Sequence, residues 1–268
     1  MVAPTGYRIE RIDKGSIRRY LVTGDPRVAG KQLPSVTTIL NIIDKSGGLV
    51  PWARDTALAK VHSVLSEEEF HLRLRDAESM DSYQSAISEA VAEARRRPDE
   101  VKETAASFGD LTHRIISDLI RNRAPEIPVA HATVIANFAT WLNNLNVTLD
   151  VSEFMVYSAE FLYAGSFDAV GRRPGESSVS IFDWKTANHL YDENALQVAA
   201  YAKAYEEMTG IHVDQAWVVR FGKDSPSFEA RKVEDLDTAF NSFLSAKFLQ
   251  QSLRAAIWDK KAMVKFNG

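Results

Sequence analysis

The 268-residue chain contains no cysteine. That absence excludes a disulfide framework, a Cys-ligated zinc and a Cys-ligated iron–sulfur cluster in one step. No run approaches the ~20 apolar residues that a membrane span requires. The first twenty residues, with Glu10 and Asp13 set among arginines, lack the apolar core of a signal peptide and are not an acid-poor transit peptide. The expected location is therefore the cytoplasm. A Gly-x-x-x-x-Gly-Lys-Ser/Thr loop is missing, which removes a P-loop motor, and so are the Gly-x-Ser-x-Gly elbow and the His-Glu-x-x-His zinc motif. Excess positive charge is missing too: 32 basic residues face 36 acidic ones, a formal −4. A broad non-specific grip on nucleic acid has no support in that balance, whereas a local one stays open. Residues 1–50 hold 8 basic and 4 acidic side chains, against 11 and 16 in residues 51–150 and 13 and 16 in residues 151–268.

What is present is an ordinary globular composition, 45% hydrophobic and 25% charged, long enough for one large domain or two small ones. Residues 7–22 alternate around Lys14-Gly15-Ser16 and predict a β-hairpin. Ser35 is placed to cap a short helix running to about Ile43. Ser46-Gly47-Gly48 predicts a break, with Pro51 in the first turn of a helix starting at Trp52. Helical spacing then dominates to about residue 145. Ala57, Leu58, Val61 and Leu65 recur on one face, as do Leu111, Ile115 and Leu119, with breaks expected at Arg95–Pro98 and Ala124–Pro128. Beyond residue 150 the pattern predicts strands at 151–158, 163–172 and 179–185, a helix at 192–208, strands at 213–221 and 227–233, and a helix at 235–258. The expected organisation is an N-terminal hairpin and opening segment (1–50), a helical region packed on the core (51–150) and an α/β core (151–268), together one continuous globular body.

Chemistry concentrates in Tyr163-Ala-Gly-Ser-Phe-Asp168-Ala-Val-Gly171 and Ile181-Phe-Asp183-Trp-Lys185-Thr186. Both segments are apolar enough for central strands, yet each carries a charge in its middle, and a buried carboxylate requires a partner or a metal. Alternation puts Asp183 and Lys185 on one strand face, roughly 6.6 Å apart, with Phe182 and Trp184 on the other. If the strands pair, Asp168 sits beside Asp183. Clustered carboxylates are hard oxygen ligands suited to Mg²⁺ or Mn²⁺, and an adjacent ammonium offsets charge developing on a phosphate. The bland alternative is an Asp–Lys pair serving packing alone. Downstream, Gln197, Tyr201 and Tyr205 form an i, i+4, i+8 stripe that by itself reads as an ordinary packed helix face.

Together, Gly-x-x-Asp, Asp-Trp-Lys-Thr and Gln-x-x-x-Tyr resemble the PD-(D/E)XK nuclease superfamily, and within it the RecB-type exonuclease branch. Leu33-Pro-Ser-Val-Thr-Thr-Ile-Leu40, followed by Val50-Pro-Trp-Ala53, is similar to the group formed by the mitochondrial genome maintenance exonuclease and its bacteriophage relatives. The resemblance spans about residues 33–205. It implies a restriction-endonuclease-like core, a mixed sheet flanked by helices, with a helical N-terminal region. It implies Asp168 and Asp183 as metal-binding catalytic acids, Asp183 standing where many relatives have Glu, and Lys185 as the catalytic lysine. The main-chain carbonyl of Trp184 would be a further ligand. Gln197 and Tyr201 would lie along the DNA channel. Phe108-Gly109-Asp110-Leu111-Thr112-His113 fits the Gly-x-x-x-His context of a metal-ligating histidine, and Glu153 matches an acidic position that either ligates or supports by ion pairing. Lacking cysteine, the chain falls among relatives without an iron–sulfur cluster.

The implied activity is Mg²⁺- or Mn²⁺-dependent hydrolysis of DNA from free ends, with one or two ions, in recombination, repair or replication. A recombinase or single-strand-binding protein would be a fitting partner, and a phage-encoded chain would act in its host's cytoplasm. Three alternatives stay open: a structure-specific endonuclease with the same residues, a catalytically silent DNA-binding module, and a scaffold using the fold for assembly. His62, His71, His131, His189 and His212 have no motif around them, and Arg95–Arg97 reads as a solvated helix end.

Overall fold

The computed structural model describes residues 6–15, 17–44, 46–76, 79–222 and 227–254. The chain opens with β1 (Arg8–Lys14) and β2 (Ile17–Thr23), an antiparallel hairpin extended by β3 (Gln32–Pro34) into a three-stranded sheet. A 3₁₀ turn (Pro26–Val28) lies between β2 and β3, with Asp25 at its N-cap. Ser35 caps the short α1 (Val36–Leu40) as its sequence position predicts, its hydroxyl accepting the Thr38 amide at 2.9 Å.

The helical segment comprises α2 (Ser46–Ser66), α3 (Glu68–Arg75), α4 (Met80–Ile120) and α5 (Val129–Leu145). Two expectations need correction here. The helix expected from Trp52 starts at Ser46, so Gly47 and Gly48 lie inside it and Pro51 lies past its first turn. As the sixth residue of α2, Pro51 forfeits one intrahelical bond, that to the Gly47 carbonyl, and the helix continues through it to Ser66. Likewise α4 runs through the break expected at Pro98. One missing amide does not end a helix when helix-forming residues continue the buried face on both sides, here Ala90 and Ala94 before it and Ile115 and Ile116 after it. The expected break at 124–128 is present, and Pro128 occupies the N-cap of α5.

The second sheet has five strands in chain order: β4 (Thr148–Ser158), β5 (Tyr163–Arg172), β6 (Val179–Thr186), β7 (Val213–Phe221) and β8 (Phe228–Lys232). All neighbours are antiparallel except β6 and β7, which run parallel across the crossover helix α6 (Asp192–Thr209). The last helix, α7, spans Leu236–Arg254, and residues 255–258 of its expected range lie outside the described residues. The fold is thus mixed α/β, a mixed sheet flanked by helices. On one side α6, α7 and α1 cover Val156, Phe167, Ile181 and Val213. On the other, α5 and the end of α4 cover Phe182, Trp184, Val219 and Phe221. The alternation read from the β6 sequence is therefore realised, with Phe182 and Trp184 in an aromatic cluster around Phe138 and Trp141. Helix α6 is buried on most of its circumference through Val198, Ala199, Ala200, Ala202 and Ala204, whose small side chains suit a helix wedged between the sheet and α7.

Contacts gather the described residues into two compact units, those up to 43 with those from 109 onwards, and those between 44 and 108. The end of α4 and all of α5 thus group with the five-stranded sheet. Within the smaller unit Val64, Phe70 and Ala90 form a core supported by the ion pairs Lys60–Glu93 (2.9 Å) and Arg73–Glu89 (2.6 Å). Among the described residues, no helix is long and apolar enough to cross a membrane.

Candidate active site

The β5–β6 ladder pairs Gly171 with Ser180, Val170 with Ile181 and Ala169 with Phe182, then stops. One step further the same register brings Asp168 opposite Asp183. Here the strands are joined through a side chain: the Trp184 amide donates to Asp168 Oδ2 at 2.6 Å. The other carboxylate oxygen, Oδ1, lies 2.9 Å from His113 Nδ1, contributed by the last turns of α4. Asp183 is 3% exposed, and its Oδ2 lies 2.5 Å from Lys185 Nζ, two residues along the same strand face. Apart from that ammonium, Asp183 Oδ2 has no hydrogen-bond partner among the described residues. Asp168, Asp183, Lys185 and His113 are therefore brought together.

The electrostatics follow from burial. Desolvation pushes the Asp183 carboxyl above the usual carboxylate range; Lys185 opposes the shift and Asp168 adds to it. For His113, burial works against the charged imidazolium, but the hydrogen bond and charge of Asp168 outweigh it and the pKa is raised. The cluster is thus satisfied as two pairs, His113 with Asp168 and Lys185 with Asp183. As they stand, no three His, Asp or Glu side chains among the described residues are disposed to chelate a cation together.

Two glycines explain the spacing of the motifs. A Cβ on Gly165 would lie 2.3 Å from the Tyr201 ring, so only glycine lets that ring rest against β5. Tyr201 is buried and accepts a hydrogen bond from Gln197 Nε2 at 2.9 Å, with both residues facing the cleft. Tyr205, the third member of the stripe, instead packs against Phe154 and Phe167. At Gly109 an added Cβ would approach Thr186 to 3.1 Å, so the absent side chain lets α4 come close to the end of β6, one turn before His113.

Glu153 would face Asp168 from β4, but its backbone leaves the ladder, with φ +57° in the left-handed region. Its carboxylate is largely exposed and lies 3.6 Å from the Arg121 guanidinium. A non-glycine residue in that conformation beside a cluster of charges is a strain typical of functional sites. Trp184 contributes its amide to Asp168 while its indole packs in the aromatic cluster.

These residues line a cleft of about 840 Å³. Its walls also carry five arginines the sequence reading did not single out: Arg11, Arg18, Arg114, Arg121 and Arg123. Another such residue is Arg220, 8% exposed, which pairs with Glu229 at 3.0 Å and donates to the Ala187 carbonyl at 3.2 Å. In the parallel register Arg220 stands opposite Lys185, so it fastens the chain just beyond that lysine. A charged residue closing a strand gives no sequence signal of such a task.

No protein-family model and no curated protein matches the chain. Among solved structures, SSO0001 is 14% identical with a TM-score of 0.29, the match covering 77% of this chain and 88% of that one. An alkaline exonuclease (LHK-Exo) from Laribacter hongkongensis is 11% identical with a TM-score of 0.27, covering 54% and 84%. Both are distant structural similarities.

Proposed function

We propose that the chain is a metal-dependent deoxyribonuclease of the PD-(D/E)XK type that hydrolyses DNA phosphodiester bonds from free ends, serving recombination, repair or replication. The observation that carries this reading is the convergence of Asp168, Asp183, Lys185 and His113 in an arginine-walled cleft. The donor set fits a hard divalent cation: two carboxylates and an imidazole, with a buried Asp183 oxygen that has an ammonium for its one close partner. Asp168, Asp183 and His113 would hold Mg²⁺ or Mn²⁺, with the Trp184 carbonyl as a further donor and Glu153 in reserve on the cleft wall. The bound ion would supply Lewis-acid polarisation of the phosphodiester and acidification of water.

The protein's own groups account for the rest. Lys185, beside Asp183 on the same strand face, would present its ammonium where negative charge develops on phosphate. Gln197 and Tyr201 form a rigid polar wall against which a nucleotide is oriented, and the cleft arginines hold the phosphates on either side. A net charge of −4 leaves affinity to this local patch, so binding should fall steeply with salt.

The test uses one end-labelled linear DNA, single- and double-stranded, beside a closed circle, with Mg²⁺ or Mn²⁺ and with Lys185→Ala as the control. Loss of the linear forms alone, abolished by the substitution, is the expected result. Cutting of the circle would turn the assignment to an endonuclease, and no cleavage with either metal would reject the enzymatic reading.

A further inference from the structure

The β1–β2 hairpin has an inner face whose character changes along its length. The register pairs Ile9 with Val22, Arg11 with Tyr20 and Asp13 with Arg18, and alternation places all six side chains on one face. At the base, Val22 and Tyr20 are buried with Ile9 against Tyr157, Ala159 and Ala164. The base is also pinned: Tyr157 donates to Asp25 at 2.9 Å, and Arg27 forks onto the same carboxylate, holding it down to about 2. Towards the tip, where a core-facing strand would continue apolar, the face carries Arg11, Asp13 and Arg18. Arg11 and Arg18 line the same cleft as Asp168 and Asp183.

The two guanidiniums share one carboxylate, Arg11 at 2.6 Å and Arg18 at 3.3 Å from Asp13, and all three side chains are 37–45% exposed. Two cations on one anion leave a local surplus of positive charge. Exposed pairs of this kind contribute little to stability, so folding alone gives no reason for charging this face. A guanidinium fork matches a phosphate as well as it matches a carboxylate.

We infer that Arg11 and Arg18 form a phosphate-gripping subsite for the nucleic-acid strand, with Asp13 as a built-in competitor that phosphate must displace. The inference rests on the nucleic-acid reading of the cleft and adds to it a binding role for the hairpin tip. Arg11 and Arg18 are binding residues here, set on the cleft wall by a hairpin whose base is pinned. Because Asp13 occupies the fork in the free protein, removing its charge should tighten binding, the opposite of what loss of a supporting ion pair would do.

The experiment measures binding of a short fluorescent single-stranded oligonucleotide by anisotropy in EDTA, across a salt series, so that no cleavage intervenes. Arg11→Gln and Arg18→Gln should each weaken binding by roughly tenfold and flatten the log K against log salt slope by about 0.7. Asp13→Asn should strengthen it several-fold. Circular dichroism melts of all three should match the parent, because the charged tip lies away from the pinned base. If the parent binds but the arginine variants bind equally well, or Asp13→Asn binds more weakly, the subsite is wrong while the nucleic-acid reading survives. If the parent binds no oligonucleotide at any salt concentration, the reading beneath it fails as well.

Discussion

At the scale of single residues, the site holds charges where apolar side chains would cost less. Asp183 is the clearest case. Its carboxyl is raised by burial to about 6, so its contribution to stability is complete below the ordinary carboxylate range and is lost as pH rises through that value. Asp183→Asn should therefore be more stable than the parent at pH 8 in EDTA, by up to roughly 3 kcal/mol, and the gap should close near pH 4. Equal melting at both pH values would show that the carboxylate carries no burial cost. Gly165 illustrates the complementary constraint. Gly165→Ala sets a methyl group into the Tyr201 ring and should cost about 1–3 kcal/mol in denaturant unfolding, the range for overpacking; an unchanged midpoint would mean that Tyr201 moves freely. Asp168, Asp183 and Lys185 were legible in the sequence because a charge inside an apolar strand is conspicuous and strand alternation fixes its face. The tip of the hairpin was not. Arg11 and Arg18 look like ordinary surface charges until the register and the cleft put them on an inner face.

Among the elements, β5, β7 and α6 were readable almost to the residue. By contrast, β4 starts at Thr148 rather than 151, β3 was not foreseen, and the helices α2 and α4 overran their expected limits. The expected strands 163–172 and 213–221 coincide with β5 and β7, because apolar runs with β-branched and aromatic residues end at clear turn signals. Helix limits failed at Ser46 and Pro98, where local breakers were outweighed by burial further along the helix. The tether at the end of β6 was also invisible, since Arg220 shows its partners only after β7 and β8 pair. Its role makes a prediction at this scale. Arg220→Lys retains the charge but cannot bond Glu229, Ser227 and the Ala187 carbonyl at once. It should destabilise the protein by about 2 kcal/mol and slow cleavage through kcat with KM nearly unchanged, because the loosened segment follows Lys185. A loss confined to KM would assign Arg220 to substrate binding instead.

For the molecule as a whole, the proposed function requires Asp168, Asp183 and His113 to trade their internal partners for a divalent cation. In the free protein the hydrogen bond and charge of Asp168 raise the His113 pKa against the cost of burial, while Asp183 is held by Lys185. An ion that takes His113 and the buried Asp183 as ligands must displace whatever proton each carries, so affinity must rise with pH. The measurement that tests this most directly is calorimetric titration of Mn²⁺ into the protein between pH 6 and 8, in buffers of different ionisation enthalpy, for the parent, Asp168→Asn and Asp183→Asn. The account predicts that the parent binds with proton release and more tightly at the higher pH, and that either substitution weakens binding at least tenfold. Absence of Mn²⁺ binding by the parent, or binding that both substitutions leave intact, would contradict it.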